Sequence, residues 1–122
     1  MSAVNQGLPI SGSANGLPIA LVAAAQPGTL IHTSSSVSDD YIWLWAVNAS
    51  DFNCVLEVYK GNAILGYSLD NTVILTPKSN KQLIEPGILT NGAIEVRGFV
   101  TLNSLSQRAN VLVSGFAHRR LD

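Results

Sequence analysis

The stretch Tyr41-Ile42-Trp43-Leu44-Trp45-Ala46-Val47-Asn48 decides how the chain reads. Its aromatic and β-branched residues favour extended backbone, and successive side chains of a strand point to opposite faces. Ile42, Leu44 and Ala46 therefore fill one face, and Tyr41, Trp43, Trp45 and Val47 fill the other. A strand apolar on both sides is either central and covered twice, or has one face buried by another chain. In a two-layer domain of this size the second explanation carries more weight. Tyr41, Trp43 and Trp45 are thus candidate interface residues, because tryptophan brings a large contact area and one donor that a rim can satisfy. The competing reading has both tryptophans covering the core edge beneath the N-terminal segment.

On either side of this stretch the chain breaks into short runs rich in β-branched and aromatic residues. They are Thr29–Ser34, Asn53–Tyr59, Ala63–Ser68, Thr72–Thr76, Lys81–Glu85, Ala93–Leu102 and Asn110–His118. Lys60-Gly61-Asn62, Asp70-Asn71, Pro77–Asn80, Pro86-Gly87 and Asn91-Gly92 separate them with residues suited to tight reversals, Asn91-Gly92 being the best hairpin signal. Turns at this spacing predict an all-β antiparallel sandwich of about eight strands, jelly-roll or immunoglobulin-like. Within Ala93–Leu102 the alternation puts Ile94, Val96, Gly98 and Val100 on the core face and Glu95, Arg97 and Phe99 on the other, where Glu95 and Arg97 can pair. No segment carries apolar residues at helical spacing over three turns, although Ser104–Ala109 has room for one short helical turn.

The first 27 residues differ from the rest, being rich in small, polar and turn-forming residues and containing Gly-Leu-Pro-Ile twice, at Gly7–Ile10 and Gly16–Ile19. Each proline biases the preceding leucine toward extended geometry. The expected organisation is an extended N-terminal arm over 1–27 and a sandwich domain over 28–122. The arm cannot bury Leu8, Ile10, Leu17 and Ile19 on itself, so these four residues are also interface candidates. The arm packs along its own domain or reaches a neighbouring subunit, and a loose terminus with one edge strand is the plainer alternative.

Composition narrows the function classes. Charged residues make up 12% of the 122 residues, about half the ~25% usual for soluble domains, which leaves little charge to cover a monomer's surface. Seven Lys and Arg against eight Asp and Glu, with no basic run longer than Arg119-Arg120, argue against nucleic acid as a partner. No run approaches the ~20 apolar residues of a membrane-spanning helix, and Leu17–Ala25, broken by Pro18 and with no basic segment before it, makes a poor signal peptide. The expectation is a soluble protein made in a cytoplasm, without a membrane partner.

Nothing in the sequence assembles a catalytic centre. Cys54 is the lone cysteine and reads as a buried, inert thiol. His32 and His118 lie in different strands and read as solvent-facing, and Asp39-Asp40 reads as a solvated turn, since adjacent carboxylates lack calcium-loop spacing. There is no Gly-x-Ser-x-Gly elbow around Ser114 and no phosphate-binding glycine loop near Gly12 and Gly16. The chain is expected to be no enzyme and to need no cofactor or metal.

Three segments carry a resemblance: Gly28-Thr29-Leu30-Ile31-His32-Thr33, then Asp40-Tyr41-Ile42-Trp43-Leu44-Trp45-Ala46-Val47-Asn48, then Val111–Arg119. Together they resemble small virion proteins of tailed phages, over most of Gly28 to Arg119, and in particular the capsid decoration, or cement, proteins. That resemblance implies a non-enzymatic compact β domain on the capsid surface. It would form a homo-oligomer, a trimer, and clamp neighbouring major capsid proteins, with an arm that orders on the shell. Head-closure, tail and fibre-base subunits are other stations that small β domains occupy. A carbohydrate-binding module, with Trp43, Trp45 and Tyr41 as its aromatics, is the alternative from a different class.

Overall fold

The computed structural model of the chain describes residues 5–13, 15–23, 25–78, 80–101 and 110–120. The expected helical turn over Ser104–Ala109 lies outside them. Nine strands run through the described residues: β1 Asn5–Pro9, β2 Ile19–Ala20, β3 Thr29–Thr33, β4 Asp40–Asn48, β5 Cys54–Asn62, β6 Gly66–Leu75, β7 Gln82–Thr90, β8 Glu95–Thr101 and β9 Val111–Arg120. They form two antiparallel sheets, one ordered β1-β9-β4-β7 with β2 also on β9, the other β3-β8-β5-β6. The fold is an all-β sandwich.

Alternation along β4 builds the core. Asp40, Ile42, Leu44, Ala46 and Asn48 are buried, and the residues between them are half-buried on the outer side. Facing them, Leu56, Val58, Val96 and Val100 point inward from the second sheet, joined by Val111, Val113 and Ala117 from β9. Each large aliphatic side chain withdrawn from water contributes roughly 1.5–3 kcal/mol before chain entropy is counted.

The N-terminal segment packs in cis. β1 pairs with residues 116–120 of β9 and β2 with Leu112 and Val113, so the two short strands lie end to end along one edge. Ile10, Ile19 and Leu21 enter the core of their own chain, whereas Leu8 is half-buried and Leu17 is exposed.

Three expected turns fall elsewhere. The reversal between β5 and β6 is set by the Asn62 carboxamide oxygen, which accepts the Ile64 and Leu65 amides at 3.0 and 2.7 Å, so Lys60 and Gly61 remain in β5. Asp70-Asn71 lies inside β6, where Asp70 is the extra residue as pairing steps from Val58↔Asn71 to Tyr59↔Leu69. Pro86-Gly87 lies inside β7, an edge strand that tolerates a missing donor. Gly87 is the bulged residue between Ile42↔Ile88 and Trp43↔Pro86, and its φ of +80° is one that side chains disfavour. Asn91-Gly92 does form a turn, but it joins β7 of one sheet to β8 of the other and closes no hairpin.

Close packing at β9 makes a direct test of the β4–β9 pairing. A Cβ at Gly115 would stand 2.0 Å from the Trp43 carbonyl oxygen, whereas one at Gly7 would meet nothing within 4 Å. Gly115→Ala is expected to lower unfolding stability in urea by about 2 kcal/mol or more. Gly7→Ala should stay within about 0.5 kcal/mol of wild type. Equal effects of the two substitutions would contradict this pairing.

Candidate functional site: an uncharged aromatic sheet face

Antiparallel partners share a face, so the register assigns the outer side of the β1-β9-β4-β7 sheet residue by residue. Tyr41 stands opposite Leu89 and His118, Trp43 opposite Pro86 and Phe116, Trp45 opposite Leu83 and Ser114, and Val47 opposite Leu112. Pro9 extends the row beyond Phe116. Between His118 at one end and Val47 at the other, the described part of this face presents no Lys, Arg, Asp or Glu.

Its centre is an aromatic cluster. Trp43 stacks on Phe116 with ring centroids 5.2 Å apart and 15° between planes, and His118 meets Trp43 edge-on at 5.5 Å. Trp45 lies 5.9 Å from Phe116. A Cβ at Gly87 would come within 2.8 Å of the Trp43 indole, so backbone packs against that ring as well. Trp43 is therefore fixed by Phe116 and Gly87. Phe116 is 39% exposed and Leu83 47%, so the face ends in water as an apolar surface.

The opposite outer face is built differently. Arg97 donates to Glu95 at 2.6 Å, Tyr67 donates to the same carboxylate at 2.9 Å, and Gln26 and Tyr59 donate to Glu57. The expected Glu95–Arg97 pair forms here. One sheet thus offers charge and hydroxyls to solvent, and the other offers aromatic and aliphatic surface.

Of the residues singled out from sequence, Tyr41, Trp43 and Trp45 come together on this face. Leu8 sits opposite Ala117 in the sheet, and Leu17 lies apart in the loop before β2. Ile10 and Ile19 are core residues. Sequence reading missed Phe116, Leu83 and Leu89, whose membership of the face depends on strand pairings that no local signal reveals.

Two ionisable networks lie away from this aromatic cluster, each centred on a buried carboxylate, Asp40 or Glu85. His32 is not solvent-facing but 1% exposed, because Ile31 bulges between the pairings Leu30↔Arg97 and His32↔Val96 and turns the ring inward. Asp40 is not a turn residue but the buried first residue of β4, 2.9 Å from His32 Nε2 and held by Arg119 Nε and a terminal guanidinium nitrogen at 2.8 and 3.0 Å. The Ser35 amide also donates to it, at 3.2 Å. Burial opposes ionisation of Asp40, but the Arg119 and His32 hydrogen bonds, the Ser35 amide and the Arg119 charge outweigh it and hold the carboxyl below the usual carboxylate range. At the other end Glu85 is buried near Lys60 (3.6 Å), which also meets Asp70 at 3.1 Å. Burial pushes the Glu85 carboxyl up, Lys60 opposes the rise and Asp70 adds to it.

The two described depressions are not lined by His32, Asp40, Lys60 or Glu85. An open depression of about 460 Å³ is lined by Gly12, Ser13, Asn15, Leu17, Pro18 and Ile19 and holds no ionisable side chain. Among the described residues no three His, Cys, Asp or Glu side chains converge as a metal site, and Cys54 is a buried free thiol. No protein-family model matches the chain, and no curated protein matches it.

Asp40→Asn removes the charge partner of Arg119 inside the sandwich, and is expected to lower stability at pH 7 by about 2–4 kcal/mol. Because folding lowers the Asp40 pKa, its contribution is complete above the unfolded value of about 3.9 and fades as pH falls through the folded one. Urea unfolding of both chains should therefore show the difference narrowing below about pH 4. A difference that grows on acidification would contradict this role.

Proposed function

We propose that the chain is a non-enzymatic structural subunit of a phage particle, a capsid decoration or cement protein on the outside of the head. It associates with copies of itself as a closed oligomer, a trimer, and binds across neighbouring major capsid proteins. The observation that carries this reading is the uncharged aromatic face of the β1-β9-β4-β7 sheet. A contiguous apolar surface of this kind, with Phe116 and Leu83 in water, is what a monomer avoids and an assembly subunit buries.

Strand order supports the same reading. β1-β9-β4-β7 faces β3-β8-β5-β6, with every connection from β3 onward except β5–β6 crossing between sheets, which supports reading the sandwich as a jelly roll, an architecture of viral capsid and lectin domains. Fold alone carries no function, and the face adds the specific argument. In this reading the 1–27 segment supplies the extended arm, with exposed Leu17 and Val22 as its apolar contacts to the shell.

Carbohydrate binding is the weaker reading, although jelly rolls serve lectins too. A sugar stacks on a free aromatic ring face, and Trp43 is engaged by Phe116 and Gly87 instead. Mass spectrometry of purified particles tests the proposal. The chain is expected among the proteins of the mature virion, at a copy number matching the head lattice. Particles that lack it would overturn the assignment.

A further inference from the structure

His32 lies between two partners that fix its protonation. Its Nδ1 accepts a hydrogen bond from the Ser11 backbone N–H at 3.0 Å, and its Nε2 is 2.9 Å from Asp40 Oδ2. A backbone N–H can only donate, so Nδ1 must be bare, and the ring's single proton sits on Nε2 and is given to Asp40. The Asp40 charge is already matched by the two-pronged Arg119 contact. The enclosure therefore balances with a neutral imidazole.

Among the described residues, Asp40 is the one ionisable group bonded to the ring. The N-terminal segment bonded to β3 here contributes Ser11 and Gly12, and the loop after β3 contributes the Ser35 amide to Asp40. On β8 the paired residue is Val96, with Glu95 and Arg97 engaged with each other on the outer side. Asp39 accepts from the Asn91 carboxamide at 3.1 Å. A proton on Nδ1 would point at the Ser11 N–H, donor against donor, and would leave a buried charge unmatched.

We propose that His32 is an acid-released latch on the N-terminal strand. The Ser11 bond to His32, together with Thr33 N–H to Ser11 Oγ at 2.6 Å and Gly12 N–H to the Ile31 carbonyl at 2.9 Å, ties the end of β1 to β3. Beyond those bonds β1 is held by its pairing with β9 and by Ile10, buried in the core just past its end. Protonation of His32 expels Ser11, frees β1 and uncovers the β9 edge over residues 116–120. The closed state accommodates one imidazole proton and the released state two, so acid favours release. The latch does not depend on the virion assignment.

Amide hydrogen exchange of the full chain between pH 8 and pH 5, corrected for the intrinsic pH dependence of exchange, tests it. Protection of the Ser11, Gly7, Leu8 and Ile10 amides is expected to fall at least about tenfold where they are protected at pH 8, while β4 and β5 keep theirs; tenfold corresponds to about 1.4 kcal/mol. Asp40 stays ionised through that range, and His118, opposite Gly7 on β9, is common to the wild type and the variant that follows. In His32→Gln the protection of the same amides should no longer depend on pH. Wild-type protection equal at pH 8 and pH 5, or the same fall in the Gln variant, would overturn the latch. Should the variant fail to fold, imidazole ¹⁵N shifts of the wild-type chain decide: Nδ1 protonation must coincide with loss of Ser11 protection, and separate transitions reject the proposal.

Discussion

The core face of β4 is apolar only between two polar ends, Asp40 and Asn48, and both ends are buried. A buried carboxylate or carboxamide left without partners costs several kcal/mol, so each end must be surrounded by groups that answer it. Asp40 draws in His32 of β3, the Ser35 amide and Arg119 of β9, and through His32 the Ser11 amide of the N-terminal segment. Asn48 donates to the Phe52 and Leu75 carbonyls at 2.8 and 3.0 Å and accepts from the Ser50 amide at 2.9 Å. Parts of both sheets are thereby pinned to opposite ends of one strand, and no buried side-chain nitrogen or oxygen of the described residues lacks a partner. Ile42, Leu44 and Ala46 lie between these anchors against the second sheet.

Fixing β4 in this way also fixes what its other side presents. Tyr41, Trp43, Trp45 and Val47 must face outward, and pairing with β7 and β9 adds Leu83, Leu89 and Phe116 beside them. The same alternation that makes the core thus makes a second apolar surface with no partner sheet among the described residues. With few charges available, Glu57, Glu95 and Arg97 stand on the other sheet, and the aromatic face carries none between His118 and Val47 among its described residues. This two-sidedness is the physical basis for reading the chain as a subunit that buries one face against copies of itself.

Much of the framework was legible in the residues. Alternation in Tyr41–Asn48 and Ala93–Leu102 placed Ile42, Leu44, Val96 and Val100 inward, and the sandwich class followed from strand and turn spacing. The same alternation extended one step back from Ile42 reaches Asp40, so its burial was available to the sequence and was hidden by treating Asp39-Asp40 as a pair. His32 was not available, because a bulge at Ile31 set by pairing with β8 reverses its direction. Pro86-Gly87 and Asp70-Asn71 carry turn chemistry yet serve as irregularities within edge strands, where bulges twist and blunt a free edge. Phe116 joined the aromatic face through a contact with Trp43 across 73 positions of sequence, a distance that no local pattern bridges.

The central claim is that the outer face of the β1-β9-β4-β7 sheet is covered by a second copy of the chain. Light scattering on the purified protein, wild type beside Phe116→Glu, tests it most directly, because Phe116 is partly exposed at the middle of that face and its replacement leaves the core untouched. The account predicts a closed oligomer, a trimer, for the wild-type chain, and a folded monomer for the variant. A wild-type chain that stays monomeric, or a variant that assembles as the wild type does, would contradict it.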